Sequence, residues 1–170
     1  YPLRTCVHSC SWDLNLASMN QGIRKMSIRQ VETSMRLAAE LEALELTVHP
    51  GHMTLQGRRE ESMKLLQDSL EQIGRLSERI GVDVSLEIME KIPKEFVTDA
   101  QSMKEAAGSR KNQFFYTLDI AHCDSEEEPF HILDQLKRIS KIHISNRKGG
   151  CYHTPLGNGD FSFKEMLPKL

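Results

Sequence analysis

The chain has 170 residues, of which 39% are hydrophobic and 27% are charged, and its formal net charge is -2. This length and composition are typical of one soluble globular domain, and the charge gives no reason to expect a polyanion-binding surface. No apolar run approaches the roughly 20 residues of a membrane-spanning helix, and no secretory signal opens the chain, so no membrane partner is expected.

Short apolar strands alternate along the chain with longer amphipathic helices. Ser27 and Gln30 have the spacing of a capping box, Gly81 follows a helical stripe, and Pro129 suits the first turn of a helix. The predicted elements, in chain order, are a strand ending at 7–8, a helix over 28–41, a strand over 44–48, a helix over 58–80, a strand over 82–89, a helix over 93–107, a strand over 114–120, a helix over 129–139, a strand over 142–144 and a helix over 161–167.

This alternation predicts βαβ units, a parallel sheet and therefore an α/β fold. The chain has neither an internal repeat nor a linker, so residues 1–170 are predicted to form a single domain. It begins at Tyr1 rather than at a methionine, and it ends at Leu170 within the last predicted helix. We therefore expect it to be a piece of a longer protein.

The four cysteines do not form the CxxC pairs of a structural zinc site; they are Cys6, Cys10, Cys123 and Cys151. Free thiols in a reducing compartment are the favoured interpretation, and a disulfide framework is the alternative. The predicted location is therefore the cytoplasm.

Five predicted strands end in a residue that can bind a divalent metal ion, namely His8, His49, Glu87, Asp119 and His143. A single such ending carries little information, because histidines and carboxylates often lie at strand ends. The carboxyl ends of the strands of a parallel barrel meet at one mouth, so five in succession are expected to converge. Imidazole and carboxylate groups suit zinc or manganese, and the pattern predicts a divalent-metal site.

The motifs that carry these residues follow one another in the order VHS, VHPGH, LEIME, LDIAH, IHISN and HTPLGNGD. In this order and spacing the chain resembles the xylose isomerase-like TIM-barrel superfamily, which includes sugar isomerases and epimerases and endonuclease IV. The resemblance covers nearly the whole chain and implies a parallel (β/α) TIM barrel. It implies the second to sixth of eight strands, so we expect an incomplete barrel whose open sheet edges favour self-association.

The resemblance also implies one to three metal ions with shared ligands. His8 and His49 would bind one ion, and Glu87 would bridge it to a second. Asp119 and His143 would bind the second ion. His122 and His153 would bind a third, as in the endonuclease IV branch. Glu87 and Asp119 are then the expected catalytic carboxylates.

Three positions depart from the family pattern. Cys151 stands where endonuclease IV has an aspartate, two residues before the histidine that matches His153. Asn146 stands where an aspartate is frequent. The last metal-binding glutamate of the family would lie on a strand beyond Leu170.

Two reactions fit such a site. The first is isomerisation or epimerisation of a sugar or sugar phosphate, in which the metal polarises a carbonyl and a carboxylate moves the proton. The second is hydrolysis of DNA at an abasic site by a zinc cluster, as in endonuclease IV, with DNA as the partner. The histidines favour the second reaction, whereas Cys151, the acidic run 126–128 and the segment 159–163 favour the first. The isomerase is preferred, and a non-catalytic barrel module is a third alternative.

Other polar and aromatic residues give weaker signals. Trp12 is predicted either to stack on a substrate ring or to pack over the barrel mouth. Arg147 and Lys148 follow the strand that ends at His143 and are candidates to bind a phosphate or carboxylate, with a solvated loop as the alternative. His52 is expected in a loop or beside a ligand, and His131 is expected to be structural.

Overall fold

The computed structural model describes residues 4–170. Five parallel strands form one sheet, and their order in the sheet is their order in the chain. A separate antiparallel hairpin follows the fifth strand. The elements are β1 (Val7–His8), α1 (Gln21–Glu40), β2 (Glu45–Val48), α2 (Arg59–Ile80), β3 (Asp83–Glu87), α3 (Ala100–Ala107), β4 (Phe115–Asp119), α4 (Glu128–Gln135), β5 (Ile139–His143), β6 (Asn146–Lys148), β7 (Cys151–Thr154) and α5 (Phe163–Met166), with short 3-10 turns at Gly108–Arg110, Ile120–His122 and Leu167–Lys169.

The sheet is curled into part of a cylinder. The imidazole rings of His8 on β1 and His143 on β5 lie 6.0 Å apart between centroids. In a flat sheet, four strand spacings would separate these strands by about 19 Å. Glu45 on β2 forms an ion pair with Lys141 on β5, three strands away, across the concave side. The predicted incomplete parallel barrel is therefore confirmed.

The two faces of the sheet differ in polarity because successive side chains of a strand point to opposite sides. On the concave side, which we call the lumen, the hydroxyl groups of Ser85 and Thr117 lie 2.6 Å apart, and Ser140 lies 3.3 Å from Ser85. The alternate residues of the strands are apolar and buried, as Leu46 and Leu86 illustrate. They join the helices in one hydrophobic core, and α2 packs between α1 and α3.

The first helix begins earlier than predicted. Asn20 is its N-cap, and its Oδ1 accepts hydrogen bonds from the backbone N–H groups of Gly22 and Ile23. The predicted capping box at Ser27 is therefore wrong. Ser27 is buried inside α1, where its hydroxyl donates to the carbonyl of Ile23 and accepts a 2.8 Å bond from the N–H of Asn15. Ser27 thus anchors the loop after β1.

The other helix ends agree in part with the predictions. Gly81 caps the C-terminus of α2 as predicted, and its φ of 79° is the left-handed conformation expected of a glycine in this position. Pro129 lies in the first turn of α4 as predicted, but α4 ends at Gln135 because Ile139 already begins β5. α3 begins at Ala100 rather than near 93, because the capping box of Asp99 and Ser102 defines its start.

All four cysteines are free thiols, as predicted, and Cys123 is the buried one. Among residues 4–170, no helix combines the length and the apolar character that crossing a bilayer requires.

Candidate metal centre

A cavity of about 970 Å³ opens at the carboxyl ends of the five parallel strands. It is lined by these strand ends and by the loops after β1, β2 and β3. The structure brings all seven predicted metal-binding side chains to this cavity: His8, His49, Glu87, Asp119, His122, His143 and His153. The convergence expected from the strand endings is therefore present.

Glu87 lies at the centre of the cavity floor, and its side chain is only 3% exposed. His8 Nε2 and His49 Nε2 lie 3.1 and 3.3 Å from Glu87 Oε2. His143 Nδ1 lies 3.1 Å from the other oxygen, Oε1. Burial opposes ionisation of this carboxyl, but the hydrogen bonds from three imidazoles outweigh it and hold the pKa of Glu87 well below its ordinary value. Glu87 is thus an anion that three histidines surround.

Asp119 extends this group along the mouth. Its Oδ2 lies 3.6 Å from His143 Nδ1 and 3.9 Å from His153 Nδ1. Its Oδ1 accepts a 2.8 Å hydrogen bond from the N–H of Ala121, which orients the carboxylate. Asp119 and then Glu87 raise the pKa of His143 to about 9, because both carboxylates stabilise the imidazolium. His143 therefore lies between two anions.

His122 and His153 face each other through their Nε2 atoms at 3.3 Å. His122 Nδ1 donates to the carbonyl of Ile88 at 2.7 Å, so its Nε2 carries a lone pair when the ring is neutral. His153 Nδ1 lies 3.1 Å from the hydroxyl of Ser145, and His153 has a φ of 59°, an unfavourable conformation for a residue other than glycine. Two facing imidazole nitrogens are stabilised by a cation or a proton between them.

The side chains form three groups whose candidate ligand atoms lie within 4.8 Å of one another. They are His8, His49 and Glu87; Glu87, Asp119 and His143; and Asp119, His122 and His153. The donor set fits zinc or manganese. His8 Nδ1 donates to the carbonyl of Ser9 at 2.8 Å, which leaves Nε2 toward Glu87, and such outward bonds are typical of histidines that bind metals.

Asn15 joins the loop after β1 to the turn that carries His49. Its Oδ1 accepts from the N–H groups of Ala17 at 2.9 Å and His52 at 3.0 Å, and its Nδ2 donates to the carbonyl of His52 at 2.8 Å. Gly51 has a φ of 89° and lies so near that a Cβ there would be 2.6 Å from Asn15 Oδ1. The two loops therefore hold each other in place.

A second group of contacts joins the loops after β3, β4 and β5. Lys91 pairs with Glu128 and, at 3.2 Å, with Asp124. Arg147 Nη1 donates to Asp124 at 2.7 Å and to the carbonyl of Cys123 at 2.6 Å. We call Lys91, Asp124, Glu128 and Arg147 the loop clasp. The loop clasp was not predicted, because nothing in the local sequence shows which charges meet across about 20 to 40 residues.

The weaker predictions have different outcomes. Trp12 lines the cavity and is 87% exposed, so it does not pack over the mouth. Arg147 is engaged in the loop clasp, and Lys148 bonds Asn158 at 3.1 Å, so neither belongs to the cavity lining. Cys151 is exposed and belongs to none of the three ligand groups. Glu90, whose Oε2 lies 3.6 Å from His122 Nε2, was not predicted at the site.

The family described as xylose isomerase-like TIM barrel matches the chain over residues 1–170. The chain belongs to this family. Two relatives are the uncharacterized proteins MJ1614 and MJ1311 of Methanocaldococcus jannaschii, which are 28% and 27% identical to it. The whole chain aligns with 67% of the first and 61% of the second, so these family members extend beyond the part that the chain matches.

Solved structures similar to this chain include a sugar epimerase, L-ribulose 3-epimerase, and an endonuclease IV. A D-tagatose 3-epimerase-like protein superimposes with a TM-score of 0.89 at 26% identity, over 100% of this chain and 67% of that one. Endonuclease IV from Thermus thermophilus superimposes with a TM-score of 0.72 at 20% identity, over 92% of this chain and 60% of that one. The TTHB071 protein of the same bacterium, soaked with ZnCl2, superimposes with a TM-score of 0.78 at 21% identity, over 99% of this chain and 68% of that one.

Proposed function

We propose that the protein is a divalent-metal-dependent isomerase or epimerase of a sugar or sugar phosphate. The observation that carries the proposal is the buried carboxylate of Glu87, which three histidines at the ends of three strands surround at 3.1 to 3.3 Å at the base of an open cavity. The similarity to a D-tagatose 3-epimerase-like protein supports a sugar as the substrate.

The metal ligands in this proposal are His8, His49, Glu87, Asp119, His143 and, for a further ion, His122 and His153. A bound divalent cation would supply Lewis acidity that polarises a substrate carbonyl and acidifies the adjacent C–H bond. Glu87 and Asp119 orient the substrate oxygens, and their carboxylates accept and return the proton. His143, between these two carboxylates, holds both of them in place.

The choice between sugar and DNA depends on the loops around the mouth. The acidic run 126–128 after β4 repels a phosphate backbone less than the sequence indicated, because Lys91 pairs with Glu128 and neutralises part of its charge. The facing pair of His122 and His153 supports the endonuclease alternative, since it offers two nitrogens to a further ion. Cys151 lies outside that group and weakens the alternative. We retain the sugar enzyme as the proposal.

The test uses the complete protein loaded with zinc or manganese. Metal content is measured by mass spectrometry, and a panel of ketoses and their phosphates is incubated in D2O. We expect stoichiometric metal and incorporation of deuterium at a carbon next to the carbonyl. Exchange is expected to disappear in Glu87→Gln and to persist in Glu61→Gln, a control on α2 whose side chain is 47% exposed.

Two other results would replace the proposal. Cleavage of duplex DNA at abasic sites, lost in Glu87→Gln, together with no sugar exchange, would identify the endonuclease alternative. A protein without stoichiometric metal would instead identify the non-catalytic barrel module.

A further inference from the structure

Glu95 is a buried acid in the wall of the cavity that belongs to none of the three ligand groups. It lies in the loop between β3 and α3, and its side chain is only 5% exposed. Its Oε1 lies 3.7 Å from Lys94 Nζ, whereas its Oε2 is buried without a hydrogen-bond partner. Buried carboxyl oxygens are normally paired, because leaving one unpaired costs folding free energy. A buried carboxyl oxygen without a partner, in the wall of a cavity, therefore indicates a site where a ligand could supply the missing hydrogen bond.

The surroundings of Glu95 form a polar surface. His52, from the loop after β2, lines the same cavity, and the N–H of its neighbour Met53 donates to the carbonyl of Lys94 at 2.8 Å. Burial and the charge of Lys94 lower the pKa of His52. We call His52, Lys94 and Glu95 the loop wall. It offers an imidazole, an ammonium group and a carboxyl group to a molecule in the cavity.

Burial, with a smaller contribution from the charge of Glu90, raises the pKa of Glu95 to about 7, although Lys94 opposes the shift. A carboxyl group that keeps its proton can both donate and accept hydrogen bonds. Rotation about the last side-chain bond exchanges its two oxygens at little cost, so either oxygen can turn toward a ligand. This combination suits a hydroxyl group, which is itself both a donor and an acceptor.

We propose that Glu95 is a substrate-binding residue that hydrogen-bonds a hydroxyl group of a polyhydroxylated substrate at the loop wall. The inference rests on the proposed function and deepens it, because it assigns to the loop wall the substrate hydroxyls that the metal ligands do not contact. It also gives the unpaired oxygen of Glu95 a partner.

The experiment measures binding separately from turnover. The metal-loaded complete protein is titrated calorimetrically with D-tagatose, D-fructose and the hexitols made by reducing their carbonyl groups, which cannot be isomerised. Glu95→Ala is expected to raise the dissociation constant for the hexitols about tenfold, the size of one lost hydrogen bond. Glu95→Gln keeps a donor and an acceptor and is expected to raise it by less than about threefold. Metal content is expected to stay unchanged in both variants.

The controls separate this inference from the proposed function. Glu61→Gln is expected to bind the hexitols as the unaltered protein does. If the unaltered protein turns over a ketose and Glu95→Ala binds as tightly as it does, the inference alone fails. If the unaltered protein neither binds nor exchanges any sugar, the proposed function fails, and Glu95 has no sugar to contact.

An infrared measurement covers the case in which Glu95→Ala does not fold. The C=O band of a protonated carboxyl that is absent in Glu95→Gln belongs to Glu95. We expect this band to shift when a hexitol binds to the unaltered protein. A band that does not move on saturation would overturn the inference.

Discussion

At the scale of single residues, the site is organised around two carboxylates that several groups share. Glu87 belongs to two of the three ligand groups and Asp119 to two, whereas His8 and His153 belong to one each. Removing a shared carboxylate therefore disturbs two ligand groups together, whereas removing His8 or His153 disturbs only one ligand group. This difference allows the number of bound ions to be assigned to particular side chains.

His8 and His153, which belong to different ligand groups, are expected to bind separate ions. His153→Asn removes an imidazole from the group of Asp119 and His122, and we expect it to lower metal content by one ion when the unaltered protein binds more than one. His8→Asn is expected to remove a different ion, together with sugar exchange. Mass spectrometry of the native protein counts the ions, and His131→Asn, in α4 outside the cavity, is the control. Identical metal loss in both histidine variants would contradict separate sites.

The protonation of Glu95 is expected to appear in the pH dependence of stability. Its pKa is about 7 in the folded chain, compared with an ordinary value of 4.5, so the folded state holds a proton that the unfolded state releases. The free energy of unfolding therefore falls as the pH rises from 4.5 to 7, and the loss is complete above this window. Glu95→Gln is expected to remove this part of the slope in urea titrations at several pH values. Equal slopes in the two proteins would contradict the raised pKa.

At the scale of elements, the loops after the strands determine where the candidate metal ligands point. His49 directly follows β2, and Gly51 lies against Asn15 in the loop after β1. The strands bring the ligands to one end of the sheet, and the contacts between loops fix their orientation. A change in one loop is thus expected to affect a ligand in the next.

Gly51→Ala tests this coupling. Its left-handed φ and a Cβ 2.6 Å from Asn15 Oδ1 are both unfavourable, and we expect a loss of at least about 2 kcal/mol of stability and weaker metal binding. Gly57→Ala is the matched control, because Gly57 has a φ of 77° but nothing within 4 Å of its added Cβ. It is expected to lose about 1 kcal/mol and to bind metal normally. Equal metal affinities would show that the two loops are independent.

The elements that were predicted correctly are those whose signals are local. Each strand of the parallel sheet is a short run that ends in, or directly before, its candidate ligand, as β3 ends in Glu87, so the fold and the convergence of these side chains could be predicted. The β6–β7 hairpin was missed because its strands have only three and four residues, of which Asn146 alone is buried. The start of α1 was missed because Gly22 obscures the N-cap signal of Asn20. The position of Arg147 depends on a partner 23 residues away.

At the scale of the whole molecule, the lumen below the candidate metal centre is polar where many barrels are apolar. Glu45 is buried, and its partner Lys141 crosses the lumen from the opposite side of the curl. The outer strands β1 and β5 each have a partner on one side only among the residues described. The prediction of self-association through these edges stays a prediction, and light scattering tests it.

Removing one partner of the ion pair across the lumen is expected to destabilise the fold more than removing both partners. Lys141→Met leaves Glu45 buried without its partner, and we expect a loss of about 3 kcal/mol in the free energy of unfolding. Glu45→Gln is expected to be costly in the same way. The double variant with Glu45→Gln and Lys141→Met is expected to recover most of the loss, because no charge remains unpaired. Additive losses in urea unfolding would contradict the pairing.

The ion pairs of the loop clasp are expected to make the mouth of the cavity sensitive to salt concentration. Its side chains are partly open to water, with exposed fractions of 30% for Lys91 and 55% for Asp124. Dissolved ions screen such pairs, with a Debye length of about 8 Å at physiological ionic strength and about 3 Å at 1 M. Concentrated salt would therefore release the three loops together, and the edge of the mouth that carries His122 and His153 would loosen before the sheet beneath it. A halophilic relative would need another way to hold these loops.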